Sequence, residues 1–149
     1  MDDLWGRLRV RAVPLLAAGV TVAAGLGVRS VLGGDVAKYA GDALYTVLVY
    51  ALVVLVAPRI APGRAAVVAA GLSWAVELFQ ITGVPDELGR RSVLARLVLG
   101  STFNPLDLFW YLVGAAFAAL AHRVLRTAKA AWTARVARAA RKAAAPGAA

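Results

Sequence analysis

The sequence predicts an all-α integral membrane protein: a four-helix bundle of spans, with a short interfacial or re-entrant helix between the third and fourth and a basic C-terminal helix. Three observations carry this. Hydrophobic residues make up 61% of the 149 and mean hydropathy is +0.72, well above the ~45–50% apolar usage of soluble domains, so much of the chain needs lipid as its solvent. The apolar residues gather into four runs of roughly 20, the length that crosses ~30 Å of hydrocarbon as a helix. The first two connectors are short and polar, and short loops make successive helices antiparallel neighbours.

The first span covers about 13–32, behind Arg7, Arg9 and Arg11. A basic front with small residues behind it also describes a cleaved signal peptide. The apolar stretch exceeds the usual ~7–15 residues, however, and it contains Arg29, so a retained helix is expected. Its Gly19, Ala23 and Gly27 recur at every fourth position; this stripe would admit a close helix neighbour, or simply reflect an alanine-rich helix. The second span, about 39–57, follows Gly33-Gly34-Asp35 and is closed by Pro58, whose missing N–H ends a helix readily. Pro62-Gly63 turns the chain into the third span, about 65–83. In the segment that follows, Val93, Leu94, Leu97 and Val98 share one helical arc while Ser92 and Arg96 fall on the other. That pattern predicts a helix over 88–101, lying in the interface or dipping back as a re-entrant segment. The fourth span, about 103–121, completes a transmembrane domain over 1–124.

The tail, 125–149, mixes Arg126, Lys129, Arg135, Arg138, Arg141 and Lys142 with alanines and Trp132. Tethered to a span and lacking a nucleic-acid module, it is expected to lie on anionic membrane lipids rather than on nucleic acid, and to fray over 143–149. With no cysteine and only His122, disulfides, thiol chemistry and a Cys- or His-based metal site are excluded, and neither metal nor cofactor is expected.

Four spans put the N-terminus, the Arg59–Arg64 loop and the C-terminus on one side. That side holds Arg7, Arg9, Arg11, Arg59, Arg64, Arg123, Arg126, Lys129, Arg135, Arg138, Arg141 and Lys142, leaving only Arg29, Lys38, Arg90, Arg91 and Arg96 of the 17 basic residues on the other. The bias places both termini in the cytoplasm. In this orientation Arg29, Asp42, Glu77 and Asp107, one in each run, all fall in the outer half of the membrane, where such side chains are costly and mark functional sites. Glu77 lies deepest, roughly 9 Å below the outer end of its span. Gln80 follows it on the same face, Tyr45 and Thr46 follow Asp42, and Tyr111 and Gly114 follow Asp107 at helical spacing. The stripes predict an outward-opening polar pocket of Arg29, Asp42, Tyr45, Glu77, Gln80, Asp107 and Tyr111, with Arg91 and Arg96 of the following segment as covering cations. Blander roles exist: Asp42 and Asp107 suit helix N-termini, Arg29 can snorkel to headgroups, and the arginines of 90–96 can contact headgroups alone. Glu77 fits none of these. Pocket binding of a polar or lipid-linked outer-leaflet ligand, proton-transfer catalysis by Glu77 and Asp107, and proton-coupled transport by an oligomer all remain open; no catalytic residue is assigned.

An arginine closing the first helix, Gly41-Asp42-Ala43-Leu44-Tyr45 opening the second, Glu77-Leu78-Phe79-Gln80 closing the third and Asp107-Leu108-Phe109-Trp110-Tyr111 with Gly114 together resemble a bacterial membrane family, domain-of-unknown-function family 2809, over roughly 13–121. The same pattern is distantly similar to the VanZ family of glycopeptide-resistance membrane proteins, which usually carry asparagine where Tyr111 stands. The resemblance implies a protein of the bacterial inner (plasma) membrane, with a role in cell-envelope homeostasis and no established activity to carry over.

The charge bias makes a direct prediction. Reporters fused after Ala149 and inside the Pro62-Gly63 turn should both read cytoplasmic, and one inserted at Gly34 external; an external C-terminus would reverse the orientation of the whole site.

Overall fold

The computed structural model describes residues 2–100 and 102–144; Met1, Ser101 and 145–149, which include most of the end expected to fray, lie outside them. Every regular element described is an α-helix: α1 (Asp2–Val31), α2 (Gly34–Val56), α3 (Pro62–Gln80), α4 (Val84–Arg91), α5 (Val93–Leu99) and α6 (Pro105–Ala144). α1 from Arg11, α2 and α6 are each long and apolar enough to cross a membrane, and α3 with α4 passes the same test as a pair bent by 88°. The chain is a multi-pass membrane protein.

Local chemistry sets the boundaries. Pro58 follows the end of α2, and Pro62 opens α3 at the first-turn position where its missing N–H costs nothing. α3 therefore starts and stops three residues earlier than the 65–83 expected. It stops because Gly83 adopts φ +75, a left-handed conformation that redirects the chain into α4. The segment expected as one helix over 88–101 is two, α4 and α5, divided at Ser92, whose hydroxyl accepts from the Ala95 N–H and caps α5.

α2 is the central helix. α3 and α6 pack on it and on each other, whereas α1 packs on α2 alone. The expected closed four-helix bundle is thus a three-helix core with a fourth helix laid against its outside. The cause is visible along α1: Pro14, Ala18, Thr21, Gly25 and Val28 form its one covered stripe, while Leu15, Leu16, Val20 and Leu26 stay exposed. The Gly19-Ala23-Gly27 stripe is not the contact. It is exposed, and nothing lies within 4 Å of a Cβ built at Gly19 or Gly27.

The core is made of small and polar side chains, and the large apolar ones face outward. α3 buries Ala65, Ala69, Ala70, Ser73, Glu77 and Gln80, and α6 buries Asp107, Tyr111, Ala115, Ala118 and Ala119. Val67, Leu72, Phe79, Phe109 and Phe117 are exposed. Lipid tails solvate such a surface as well as a core would, so burial selects residues that let backbones approach or that hydrogen-bond. Closest of all is the crossing of α2 and α6 at Gly114, where a Cβ would run into the Ala43 backbone. At the opposite end of the core, the Tyr50 hydroxyl lies 2.9 Å from His122 Nδ1 and 3.4 Å from the Pro62 carbonyl oxygen. This single side chain ties α2 to the start of α3 and to α6.

α6 spans 40 residues, about 60 Å at 1.5 Å per residue and twice the hydrocarbon thickness. The fourth span and the basic tail are one unbroken helix, exposed from Arg123 through Ala143. A tail lying along the leaflet, as the sequence suggests, would need a bend that this helix lacks.

The α2–α6 crossing is sensitive to volume. Gly114→Ala should destabilise the protein by about 1–3 kcal/mol, measured as detergent unfolding, because backbone cannot give way to the new methyl as a side chain could. Gly71→Ala, built into open space, should stay within about 0.5 kcal/mol of the parent. Equal effects would remove the close crossing as a determinant.

Candidate functional site

Glu77, the most buried of the acids expected at the site, is 1% exposed. Helical spacing on α3 puts it one turn beyond Ser73 and one before Gln80, on the face that meets α2 and α6. Its carboxylate is held by hydrogen-bond donors. Oε1 accepts from the Asn104 backbone N–H at 2.7 Å; Oε2 accepts from the Tyr111 hydroxyl at 2.7 Å and from Gln80 Nε2 at 3.3 Å. Three donors, two of them short, compensate the burial of a charged group far better than packing alone. Gln80 Nε2 also donates to the Leu99 carbonyl oxygen at 2.8 Å. The Glu77–Gln80 pair therefore grips both ends of the α5–α6 connector, at Leu99 and at Asn104. Since both Nε2 partners are acceptors, the amide has one orientation, and its buried Oε1 faces no donor among the described residues. Tyr45 lies alongside, its ring tilted against Tyr111 at 6.1 Å between centroids. One turn further in, Thr46 and Ser73 share a 3.1 Å hydrogen bond with neither side chain exposed.

Above Glu77, where α2 and α6 begin, Lys38 forms ion pairs with both Asp42, at 3.3 Å, and Asp107. The Lys38 side chain is 40% exposed, that of Asp42 20% and that of Asp107 6%, so the cluster opens to the surface on one side. Tyr39 and Trp110 stack beside it at 5.5 Å and 15° between planes. Two carboxylates meet one ammonium, which leaves acceptors in excess. Among the described residues no three His, Cys, Asp or Glu side chains are grouped to hold a metal ion.

Six of the nine site residues expected from the sequence, Asp42, Tyr45, Glu77, Gln80, Asp107 and Tyr111, lie in this region; the three arginines do not. Arg29 is exposed at the end of α1 beside Gly41 and, among the described residues, makes no ion pair with Glu77 or Asp107. Because α1 packs only on α2, it cannot deliver its guanidinium into the α3–α6 side of the core. Arg91 pairs with Glu87, and Arg90 with Asp86 and Glu87, one turn back on α4. Arg96 is exposed on α5. Nor do the described residues frame an open pocket: they fill the end of the core where α2 and α6 begin with their own contacts. Two open grooves, both apolar, lie on the flank of α3 and α6, lined by Ala66, Val67, Ala70, Leu112 and Ala115 among others. The cation that sequence reasoning missed is Lys38. Its four-residue spacing from Asp42 was the available signal; its pairing with Asp107, 69 residues away, had none.

Residues 31–115, more than half the chain, match the model of the family described as "Protein of unknown function (DUF2809)". No curated protein and no solved structure matches the chain. The matched stretch contains every residue of the Glu77 and Lys38 clusters, whereas Arg29 and the basic tail fall outside it.

Glu77→Leu should destabilise the fold by about 2 kcal/mol or more in detergent unfolding, even though leucine suits a bilayer better. It leaves the Asn104 N–H and the Tyr111 hydroxyl buried without their acceptor. Wild-type stability in that variant would show the three hydrogen bonds to be dispensable.

Proposed function

Starting from the fact that this chain belongs to the DUF2809 family, whose description assigns no activity, we propose that it is a membrane binding protein. Its outer-half polar centre would receive the head of a polar or lipid-linked amphiphile from the leaflet remote from the basic tail. The observation that carries this is the partly exposed Lys38–Asp42–Asp107 cluster, seated directly above buried Glu77. Its excess of acceptors favours a head rich in hydrogen-bond donors, cationic or hydroxylated, over a phosphate. Tyr39 and Trp110 provide flat apolar faces for the part of the ligand that stays in the interface. The unused acceptor at Gln80 Oε1 lies next to the same centre. A bacterial inner-membrane location, with both termini cytoplasmic and an envelope role of the kind the VanZ likeness implies, belongs to the same proposal. A proton-transfer pair of Glu77 and Asp107 draws less support, since Glu77 is already engaged by three donors and Asp107 by Lys38.

Native mass spectrometry of the protein released from mild detergent tests the reading. The wild type should retain an amphiphile with donor groups, and Asp42→Asn, which leaves Glu77 and its donors intact, should lose most of it. Equal retention by both proteins, or a bound species whose head is purely anionic, would exclude this site as the receptor.

A further inference from the structure

The α4–α5 hairpin inverts the usual relation between polarity and exposure. On α5, Val93, Leu94, Leu97 and Val98 are 75%, 70%, 57% and 49% exposed, and they share one arc of the helix. Ala95 and Leu99, on the opposite arc, are half-buried towards the rest of the protein. The apolar arc thus points away from every other element. α4 continues the surface with Leu88 and Val84, both exposed. Its charges are neutralised among themselves, Arg90 with Asp86 and Glu87, Arg91 with Glu87, so the helix carries little unpaired charge. Orientation comes from the 88° bend between α3 and α4. For an α3 that crosses the membrane, this bend would set α4 close to the membrane plane at the level where α3 ends. Arg96 is exposed too, on the other arc, from which its long side chain can reach towards headgroups.

We propose that α4–α5 is a lipid-docking hairpin of the leaflet remote from the basic tail, with Val93, Leu94, Leu97 and Val98 set in the boundary between headgroups and acyl chains. The occupant of this surface is lipid because the apolar side chains at the end of α3 and in the turn after it, Leu78, Phe79 and Ile81, are likewise exposed, as are those of the candidate spans, whose large apolar residues face outward. An interfacial helix of this kind buries its apolar face about 5–10 Å into that boundary. The hairpin does not float freely. Gln80 holds its far end at Leu99, and Glu77 holds the connector beyond it at Asn104. The depth of α5 in the leaflet is therefore fixed by the same two side chains that form the buried centre. This assignment stands independently of what the centre binds.

The chain has no cysteine, so a single Leu94→Cys carries one bimane label in the otherwise intact protein. The protein is reconstituted in phosphatidylcholine–phosphatidylglycerol vesicles containing lipids spin-labelled at the headgroup, high on the acyl chain or near its end. The expected result is a blue-shifted emission, quenched most by the nitroxide high on the acyl chain and little by aqueous iodide; Leu97→Cys gives a second reading on the same arc. Quenching by iodide alone would make the hairpin a solvated loop. Strongest quenching by the deepest nitroxide would make it re-entrant. Protection from all quenchers, with dipolar coupling between spin labels on separate copies, would assign the surface to a homo-oligomer. Any of these three results overturns the proposal.

Discussion

A buried carboxylate that pairs with no cation among the described residues organises this molecule. Glu77 draws the Tyr111 hydroxyl from α6, the Gln80 amide from α3 and the Asn104 N–H from the connector to one point. In hydrocarbon none of these groups has water as an alternative, so their mutual satisfaction fixes where α3 ends, where α6 begins and how the two face each other. Much else follows from that point. Asp107 comes one turn before Tyr111 and is thereby presented to α2, where Lys38 and Asp42 meet it. Gln80, bound to Glu77, positions Leu99 and with it the end of α5.

This dependence explains why so little of the interior is greasy. The apolar cluster around Tyr50 is built from Ala65, Ala69, Ala118 and Ala119, with valines at its margin. Methyl groups and glycine allow the backbones of α2, α3 and α6 to come together, as at Gly114 and Ala43, and close backbones bring short polar side chains such as Thr46 and Ser73 within reach of one another. Bulk on these faces would separate the helices and break the polar contacts with them. The large side chains are consequently placed outside, where lipid accommodates them at no cost in packing.

Much of this was legible in the sequence, for reasons that particular residues make plain. The spans follow from apolar run length, and Pro58, Pro62 and Gly33-Gly34 punctuate them because backbone chemistry is local. The convergence of Asp42, Glu77, Asp107, Gln80 and Tyr111 follows from depth and helical spacing alone. Arg29 failed the same logic because depth says nothing about which helices touch, and α1 touches only α2. Arg91 is drawn to Glu87, four residues earlier on the same helix and a nearer partner than Glu77 or Asp107. The expected second span, about 39–57, leaves Lys38 just outside it; α2 begins at Gly34, which makes Lys38 a helical neighbour of Asp42. Chain ends of apolar runs are poor guides to helix ends, as α6 shows most clearly: charge marks where the membrane stops, not where the helix does.

That last point has a mechanical side. Asp107 and Tyr111, which meet the polar centre, and Arg141 and Lys142, near the far tip, belong to one helix with no proline or break after Pro105. Helix bending is slow to set in without such a break, so the segment behaves as a lever whose short arm is clasped by α2 and α3 and whose long arm is unsupported. Pivoting by roughly 10° where the clasp ends, near His122, would sweep Arg141 through about 5 Å, on a free arm about 30 Å long. A tilt that hardly disturbs the contacts around Glu77 is thereby carried to the far tip as a shift of about half the width of a helix.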